Sequence, residues 1–427
     1  MLLQFSVENF LSIREKLTLD LIPDFYKEHQ ENIIKINKSK ALNSIAIYGA
    51  NASGKTNLFK AITTALLTIR NSNNFQITDR LLSIIPFLFD EYSRNKPSKF
   101  EFLFIAKDNK KYVYGFSATQ LRIEEEYLYV YNSKKPSLIF DRKINNNNEE
   151  YKFPRNFKAE LELVAKRNTP NKLFLSTATS WNIEITKPAF EWLALGIDTY
   201  TNLVDIHHLA LDMYSKEQNK EYTDFTKALL KNANINITKI DIETRELSQE
   251  ETRGFPFGIF FNNMMPTKQV EVKVKMSHEV KDKDGKTKEY DLLLGNESLG
   301  TQQLFAFGPF LKKAFDYGKT IIIDEIEKSL HPFIVKYLIS LFKNKEINKK
   351  GAQLIVSTHN TNLLSLDIFR RDQIYFTNKD RNTGVTDLYS LGAYESIRAT
   401  ENAEKAYLQG RFGAIPDVNL EDFFYDR

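Results

Sequence analysis

The 427-residue chain contains no cysteine. That excludes a disulfide framework and any cysteine-ligated metal site, and makes a reducing compartment, the cytoplasm, the expectation. No apolar run approaches the ~20 residues a membrane span requires. The opening Met1-Leu2-Leu3-Gln4-Phe5-Ser6-Val7-Glu8 has no basic segment followed by an apolar one. A soluble protein with no membrane partner is therefore expected. Charge of one sign is also missing: 59 basic and 55 acidic residues leave a net charge of +4. The lysine runs are interleaved with Glu and Asp, so composition does not announce a nucleic-acid surface. No segment repeats, and no heptad pattern lasts long enough for an extended coiled coil.

What is present is apolar material for a sizeable core, 42% hydrophobic and 13% aromatic residues. The length exceeds one compact domain, and two lobes are expected. The chain is organised around the run Ile45 to Thr56. Here four apolar-strand residues break into a loop bounded by Gly49 and Gly54 and continue as a helical pattern from Asn57 to Ile69. The spacing G-x-x-x-x-G-K-[ST] places glycines where the backbone must turn its N–H groups toward phosphate at a helix start. Lys55 would reach the β- and γ-phosphates, and the Thr56 hydroxyl would ligate Mg²⁺. The bland reading is a glycine turn that happens to carry Lys-Thr.

Before this loop, Leu2 to Asn9 and Leu17 to Leu21 read as strands. After its helix come strands at Phe87–Asp90, Lys99 to Ala106, Tyr112 to Thr119, Glu125 to Tyr131 and Ser137 to Phe140, with a hairpin turn at Asp108–Lys111. Together they predict an added antiparallel sheet, with the Asn145–Asn148 run as a polar loop tip. From Phe157 the period becomes helical, with Leu161, Leu163, Val164, Phe190, Leu193, Leu195, Phe225, Ala228, Leu229 and Leu230 as apolar positions, and Trp181 and Trp192 as core aromatics. Strands resume at Ile235 to Ile242 and Val270 to Met276, and Lys281–Lys286 is a solvated turn rather than a metal site. The expected organisation is an N-terminal part of the phosphate-loop domain over residues 1–156, an inserted helical lobe over 157–234 and a C-terminal part of the same domain over 235–427.

Three further stretches carry chemistry. Lys319 to Glu325 is a buried-strand run ending in two carboxylates, as expected at the carboxyl edge of a parallel sheet. Asp324 would hold Mg²⁺, and Glu325, on the other side of the strand, would polarise the attacking water. Gly351 to His359 is another apolar strand with a polar end, which brings His359 to the same edge as a γ-phosphate sensor. His331 lies at the turn into the next helix, in an interface or a capping role. In Glu297 to Gln303, Ser298 and Gly300 open a helix and could bind phosphate, although by itself the pattern reads as a plain cap with Ser298 at its N-terminus and Thr301 in the first turn.

Taken in order, these motifs resemble the ATP-binding-cassette superfamily, in its SMC-like and OLD-like branch. The fold the resemblance implies is an α/β P-loop NTPase with an added antiparallel sheet and an inserted helical lobe. Gly49 to Thr56 looks like Walker A, which implies nucleotide contacts for Gly49, Asn51, Ala52, Ser53, Gly54, Lys55, Thr56 and Asn57. Ile321 to Glu325 looks like Walker B, Ser329 to Pro332 like the D-loop, His359 like the switch histidine, and Glu297 to Gln303 like a degenerate signature. Asn9 to Ile13 resembles the N-F-x-S-I opening of this branch, which implies that these residues approach the nucleotide. The Glu-Ser-Leu-Gly-Thr ending of the signature and the run Tyr407 to Pro416 resemble the stand-alone bacterial abortive-infection ATPases that include AriA of the PARIS phage-defence system, RloA and AbiLi.

The resemblance implies ATP and Mg²⁺ as cofactors. It also implies a homodimer or higher oligomer whose nucleotides are shared between Walker A of one subunit and Ser298 of another, and a phage protein as trigger. No Toprim nuclease follows His359, so a separate effector is expected, plausibly a Toprim-type nuclease. The rival reading is an SMC-like DNA-repair or maintenance ATPase that binds DNA ends. Leu299 stands where the signature has its first glycine, and no convincing Q-loop is present; Gln76 is the nearest glutamine after Walker A and sits in a polar loop.

Overall fold

The computed structural model describes residues 1–145, 148–201, 203–215, 219–246, 270–394 and 401–416. The middle of the expected Asn145–Asn148 loop tip lies outside them.

In chain order, β1 (Leu2–Glu8) and β2 (Leu17–Asp20) precede a small hairpin, β3 (Ile33–Ile36) and β4 (Ser39–Leu42), and then β5 (Ser44–Tyr48), which runs into α1 (Lys55–Asn71). A single-turn helix α2 (Glu91–Arg94) is followed by β6 (Ser98–Ile105), β7 (Lys111–Ala118), β8 (Ile123–Tyr131), β9 (Ser137–Asn145) and β10 (Asn148–Lys152). Next come α3 (Lys158–Ala165), α4 (Phe174–Ser180), α5 (Lys187–Leu195), β11 (Ile197–Tyr200), α6 (Leu203–Ser215) and α7 (Asn219–Asn232). The remaining elements are β12 (Lys239–Glu246), β13 (Val270–Lys281), β14 (Thr287–Leu293), α8 (Leu299–Tyr317), β15 (Thr320–Ile323), α9 (Pro332–Lys343), β16 (Gln353–Ser357), β17 (Ile374–Lys379), β18 (Thr386–Ser390) and α10 (Ala403–Leu408).

The chain forms two compact units: residues 1–201, 314–328 and 338–427 make the first, and residues 202–313 and 329–337 the second. The first unit holds two large sheets. One is antiparallel, in the order β10-β9-β8-β7-β6-β1-β2, and the other runs β11-β15-β16-β5-β17-β18. In the latter, β11, β15, β16, β5 and β17 are mutually parallel and only β18 runs antiparallel. Its central strands are apolar on both faces, as Ile321, Ile322, Ile323, Leu354, Ile355, Val356, Ile45, Ala46 and Ile47 are all buried. That is the signature of a parallel strand covered on both sides. The buried Gln353 ties β16 to the antiparallel sheet, accepting from Leu2 N–H at 2.7 Å and donating to the Leu2 and Leu42 carbonyls at 3.0 and 2.9 Å.

The fold class is the expected one, an α/β P-loop arrangement with an added antiparallel sheet, but three local readings are corrected. Phe87–Asp90 is not a strand: the Asp90 carboxylate accepts from the Tyr92 and Ser93 N–H groups and caps α2, so its local hydrogen bonds displace sheet pairing. Trp192 is core, stacked on Phe104 with centroids 4.3 Å apart, whereas Trp181 is half exposed beneath the Arg167 guanidinium. The stretch expected as one helical lobe is divided. Helices α3 to α5 lie in the first unit and bury Leu161, Phe174 and Leu193 in its main core, while α6 and α7 lie in the second. Helical periodicity fixes which face is apolar, not which neighbour covers it.

The second unit contains α6, α7, the three-stranded sheet β12-β13-β14 and most of α8. Pro309 inside α8 cannot donate to the Phe305 carbonyl one turn back. The Tyr214 hydroxyl supplies the missing donor at 2.9 Å, and its ring stacks on Phe305.

Candidate functional site

The phosphate loop sits between two strand ends. Strand β5 has β16 on one side and β17 on the other, with Ile47 opposite Ser357 and Tyr48 opposite Phe376. A parallel arrangement brings the carboxyl ends of β15, β16 and β5 to one edge, and the sequence motifs lie just beyond those ends. Gly54 caps α1 at φ 108, a left-handed value open to glycine, and a Cβ there would overlap the Thr386 side chain. No side chain caps the N-terminus of α1, and its first turn holds no acid. Its N–H groups and the positive end of the helix dipole are therefore available to an anion.

Lys55 is only 5% exposed. Its ammonium donates to the carbonyls of Gly49 and Ala50 at 2.8 and 3.0 Å, which hold it across the loop without a carboxylate in hydrogen-bond reach. Burial lowers its pKa to about 8, an effect partly offset by the charges of Asp324, Glu325 and Glu327. A buried cation whose hydrogen bonds go to carbonyl dipoles is suited to receive phosphate oxygens. The adjacent Thr56 donates to Asp324 Oδ2 at 2.7 Å. A hydroxyl and a carboxylate that converge in this way form a hard-oxygen donor set suited to Mg²⁺, so the residues fit the cofactors the motifs imply.

Asp324 is buried, and its other oxygen accepts from the Ser357 hydroxyl. Glu325 is exposed, but not as the strand pattern predicted. β15 ends at Ile323, and Glu325 lies in the following turn at φ 51, a left-handed conformation uncommon outside glycine. The Ser357 hydroxyl accepts from Glu325 N–H at 2.8 Å, and Ile326 N–H donates to the Ser357 carbonyl at 3.3 Å. Backbone strain of this kind clusters at functional sites, and here it turns the carboxylate out of the sheet. His359 is also exposed, two residues beyond Ser357, and partial desolvation of its ring together with the Lys55 charge lowers its pKa. Its backbone N–H donates to Glu327 at 2.5 Å.

The remaining predicted loop residues divide. Asn51 and Ala52 are exposed, Ala52 at φ 60. The Ser53 hydroxyl instead faces inward, 2.6 Å from the Thr377 hydroxyl, and Asn57 donates to Ser12 at 2.7 Å. Ser12 in turn lies 2.8 Å from the Thr386 hydroxyl, which donates to the Ser53 carbonyl at 3.2 Å. The Asn9–Ile13 opening thus reaches the phosphate loop through one hydroxyl. Asn9 itself is structural, at φ 54 and donating to the Ser93 and Lys96 carbonyls at 2.9 Å. Gln76 is exposed, and its backbone N–H donates to Asp79.

Sequence reasoning missed Ser357, Thr377 and Thr386. A polar residue at a strand's end was the available signal, but their partners became visible only with the strand order. A cleft of about 1120 Å³ opens beside Ala50, Asn51, Ala52 and Ser53, walled by Phe89, Lys379, Ile415 and Pro416. Phe89 is 71% exposed, with the Lys379 ammonium 5.9 Å from its ring centre. The expected Tyr407–Pro416 motif forms the far wall's support. The Tyr407 ring stacks on Phe376 and its hydroxyl donates to the Ala414 carbonyl at 2.9 Å.

Within the second unit, Ser298 caps α8 as the bland reading required, its hydroxyl accepting from Thr301 N–H at 3.2 Å. A Cβ on Gly300 would come within 3.1 Å of the Ser329 carbonyl. His278 on β13 meets Glu297, just before Ser298, at 2.6 Å. Among the described residues no cluster of three or more metal-ligating His, Cys, Asp or Glu exists, and no helix is long and apolar enough to cross a membrane.

Residues 44–365 match the model of the family described as "AAA domain, putative AbiEii toxin, Type IV TA system". Comparison with curated proteins gives no match. Among solved structures, the recombination mediator protein RecF with ATP is 12% identical, covering 91% of this chain and 97% of its own, at a TM-score of 0.36. A second RecF structure, described as RecF-ATPrS, is 12% identical, covering 91% and 98%, at a TM-score of 0.35.

Proposed function

The chain belongs to this AAA-domain family, an ATPase of the AAA/ABC type, and on that premise we propose that it is a Mg²⁺-dependent ATPase acting as sensor and regulator in antiphage defence. The observation that carries the ATPase reading is the meeting of Lys55, Thr56, Asp324 and the Ser357 hub at one sheet edge, with Glu325 and His359 exposed beside them. Bound Mg²⁺·ATP would supply the γ-phosphoryl group and its charge-neutralising cation. Lys55 and the α1 N-terminus would hold the phosphates, Thr56 and Asp324 the cation, Glu325 would orient and deprotonate water, and His359 would meet the γ-phosphate.

The family's description names a toxin of a type IV TA system, and the Tyr407–Pro416 and Glu297–Thr301 motifs resemble abortive-infection ATPases. We therefore propose a homodimer or larger homo-oligomer, with Ser298 and Gly300 contacting nucleotide held by the neighbouring subunit. A phage protein is its trigger, and a separate effector, plausibly a Toprim-type nuclease, is its output. The test is twofold. Purified protein should hydrolyse ATP only with Mg²⁺ and lose this on Lys55→Ala. Cells carrying the gene with its neighbouring reading frame should resist phage, and should lose resistance when either is inactivated. ATP turnover stimulated by duplex ends, with salt-sensitive DNA binding and no phage phenotype, would favour the DNA-maintenance reading.

A further inference from the structure

Glu327 belongs to none of the roles assigned so far. It follows Glu325 by two positions, in the turn between β15 and α9, and its Oε1 accepts the His359 backbone N–H at 2.5 Å. Its Oε2 is buried and has no hydrogen-bond partner among the described residues. Leaving a carboxylate oxygen buried and unsatisfied is costly, and native proteins keep few such groups. Among the described residues, the one hydrogen bond that the Glu327 carboxylate makes goes to the peptide of the candidate γ-phosphate sensor. The loop bearing His359 is otherwise held at its far side, where Thr361 donates to Glu404 of α10 at 2.7 Å, and at its root by Thr358 N–H to the Ile47 carbonyl at 3.0 Å. Between these anchors the His359 peptide has Glu327. The turn that carries Asp324 and Glu325 and the strand end and loop that carry Ser357 and His359 are thereby tied through Ser357, by its hydroxyl and its carbonyl, and through the Glu327 carboxylate.

We infer that Glu327 is a positioning residue of the ATPase site, which holds the His359 peptide N–H and so sets where the imidazole meets the γ-phosphate. The inference rests on the ATPase reading for its kinetic consequence but not for its structural one. A displacement of a reacting group by about 1 Å costs up to ~100-fold in rate, and a residue that only positions loses its effect once the group it positions is gone.

The experiment compares wild type with E327A, E327Q, H359A and the E327A/H359A double variant. Amide hydrogen exchange is followed on nucleotide-free protein, and steady-state kinetics with Mg²⁺·ATP. E327A should raise exchange in the peptide containing His359 and nowhere else, and should lower kcat at least ~10-fold with KM changed less than ~3-fold. E327Q, whose amide oxygen can accept the same N–H, should keep both protection and most of kcat. The double variant should be no slower than H359A. Unchanged exchange at His359 in E327A overturns the inference whatever the kinetics show. Additive losses in the double variant, or E327Q as slow as E327A, also overturn it, the latter because charge rather than hydrogen-bond acceptance would then be at work. Lost protection in E327A with no ATP turnover in wild type would uphold the Glu327–His359 hold and count against the ATPase reading instead.

Discussion

The Thr56 hydroxyl donates to Oδ2 of Asp324 at 2.7 Å, joining residues 268 positions apart. A divalent cation that engaged both oxygens would take over a pairing the fold has already assembled, so the proposed Mg²⁺ ligands would require little reorganisation. Thr56→Val should remove one hydrogen bond worth about 1 kcal/mol of stability and leave metal-free nucleotide binding intact. It should abolish the gain in ATP affinity that Mg²⁺ confers. Titration calorimetry with Mg²⁺ and with EDTA reads this; an equal Mg²⁺ enhancement in variant and wild type would remove Thr56 from the metal shell.

Lys55 gives a pH signature. Burial holds its pKa at about 8, against 10.5 as the ordinary value. Below pH 8 both folded and unfolded chains carry the proton, and the folded state bears the full cost of a buried charge. Between pH 8 and 10.5 the unfolded chain binds more protons, so this group's contribution to stability rises with pH, by up to about 3 kcal/mol. The difference in unfolding free energy between wild type and Lys55→Met, measured without nucleotide across that range, should follow this rise. ATP binding near pH 8.5 should take up a proton in wild type, seen as a buffer-dependent calorimetric enthalpy. Lys55→Ala should not bind ATP, since it lacks the cation proposed to face the β- and γ-phosphates.

Glu325→Gln should bind ATP and Mg²⁺ normally and hydrolyse ATP at least ~100-fold more slowly, the usual loss when a general base is removed. The side chain is exposed and held by its backbone turn, so the substitution should leave the thermal midpoint unchanged. Normal turnover by this variant would place the base elsewhere.

Ser298 separates two roles. As the observed cap of α8, it should cost about 1 kcal/mol of stability when replaced by Ala. As a ligand reaching a neighbouring subunit's nucleotide, Ser298→Arg should leave folding and ATP binding intact while abolishing hydrolysis. Mixing Ser298→Arg with Lys55→Ala subunits should then restore turnover, because each mixed dimer keeps one pocket unmutated on both faces. Normal hydrolysis by Ser298→Arg alone, at unchanged assembly state, would refute the shared-site dimer.

The chemistry-bearing stretches were legible because each is local. The apolar run Ile45–Tyr48, the glycine-bounded loop and the α1 helix are neighbours along the chain, and so are Ile321 to Asp324. Hairpin turns were legible for the same reason: Asn109 takes φ 61 at the Asp108–Lys111 turn where turn chemistry placed it. Where a local signal had a competitor, it failed. Phe87–Asp90 has strand-forming aromatics, but the Asp90 side chain caps a helix instead. Trp181 carries the same apolar promise as Trp192, yet only Trp192 finds Phe104.

The sequence by itself determined the glycine-bounded loop and its helix, the buried strand that precedes Asp324 and Glu325, the buried strand that precedes His359 and the α/β class, since composition, period and glycine placement act over a few residues. Tertiary structure decided the rest. Register in the parallel sheet set Ser357 between Asp324 and Glu325, strand order set Thr377 and Thr386 against Ser53, and the turn after β15 set Glu327 under the His359 peptide. Those pairings join segments tens to hundreds of positions apart. A hydrogen bond forms only within about 3 Å, a distance that folding, and not the order of residues along the chain, brings about.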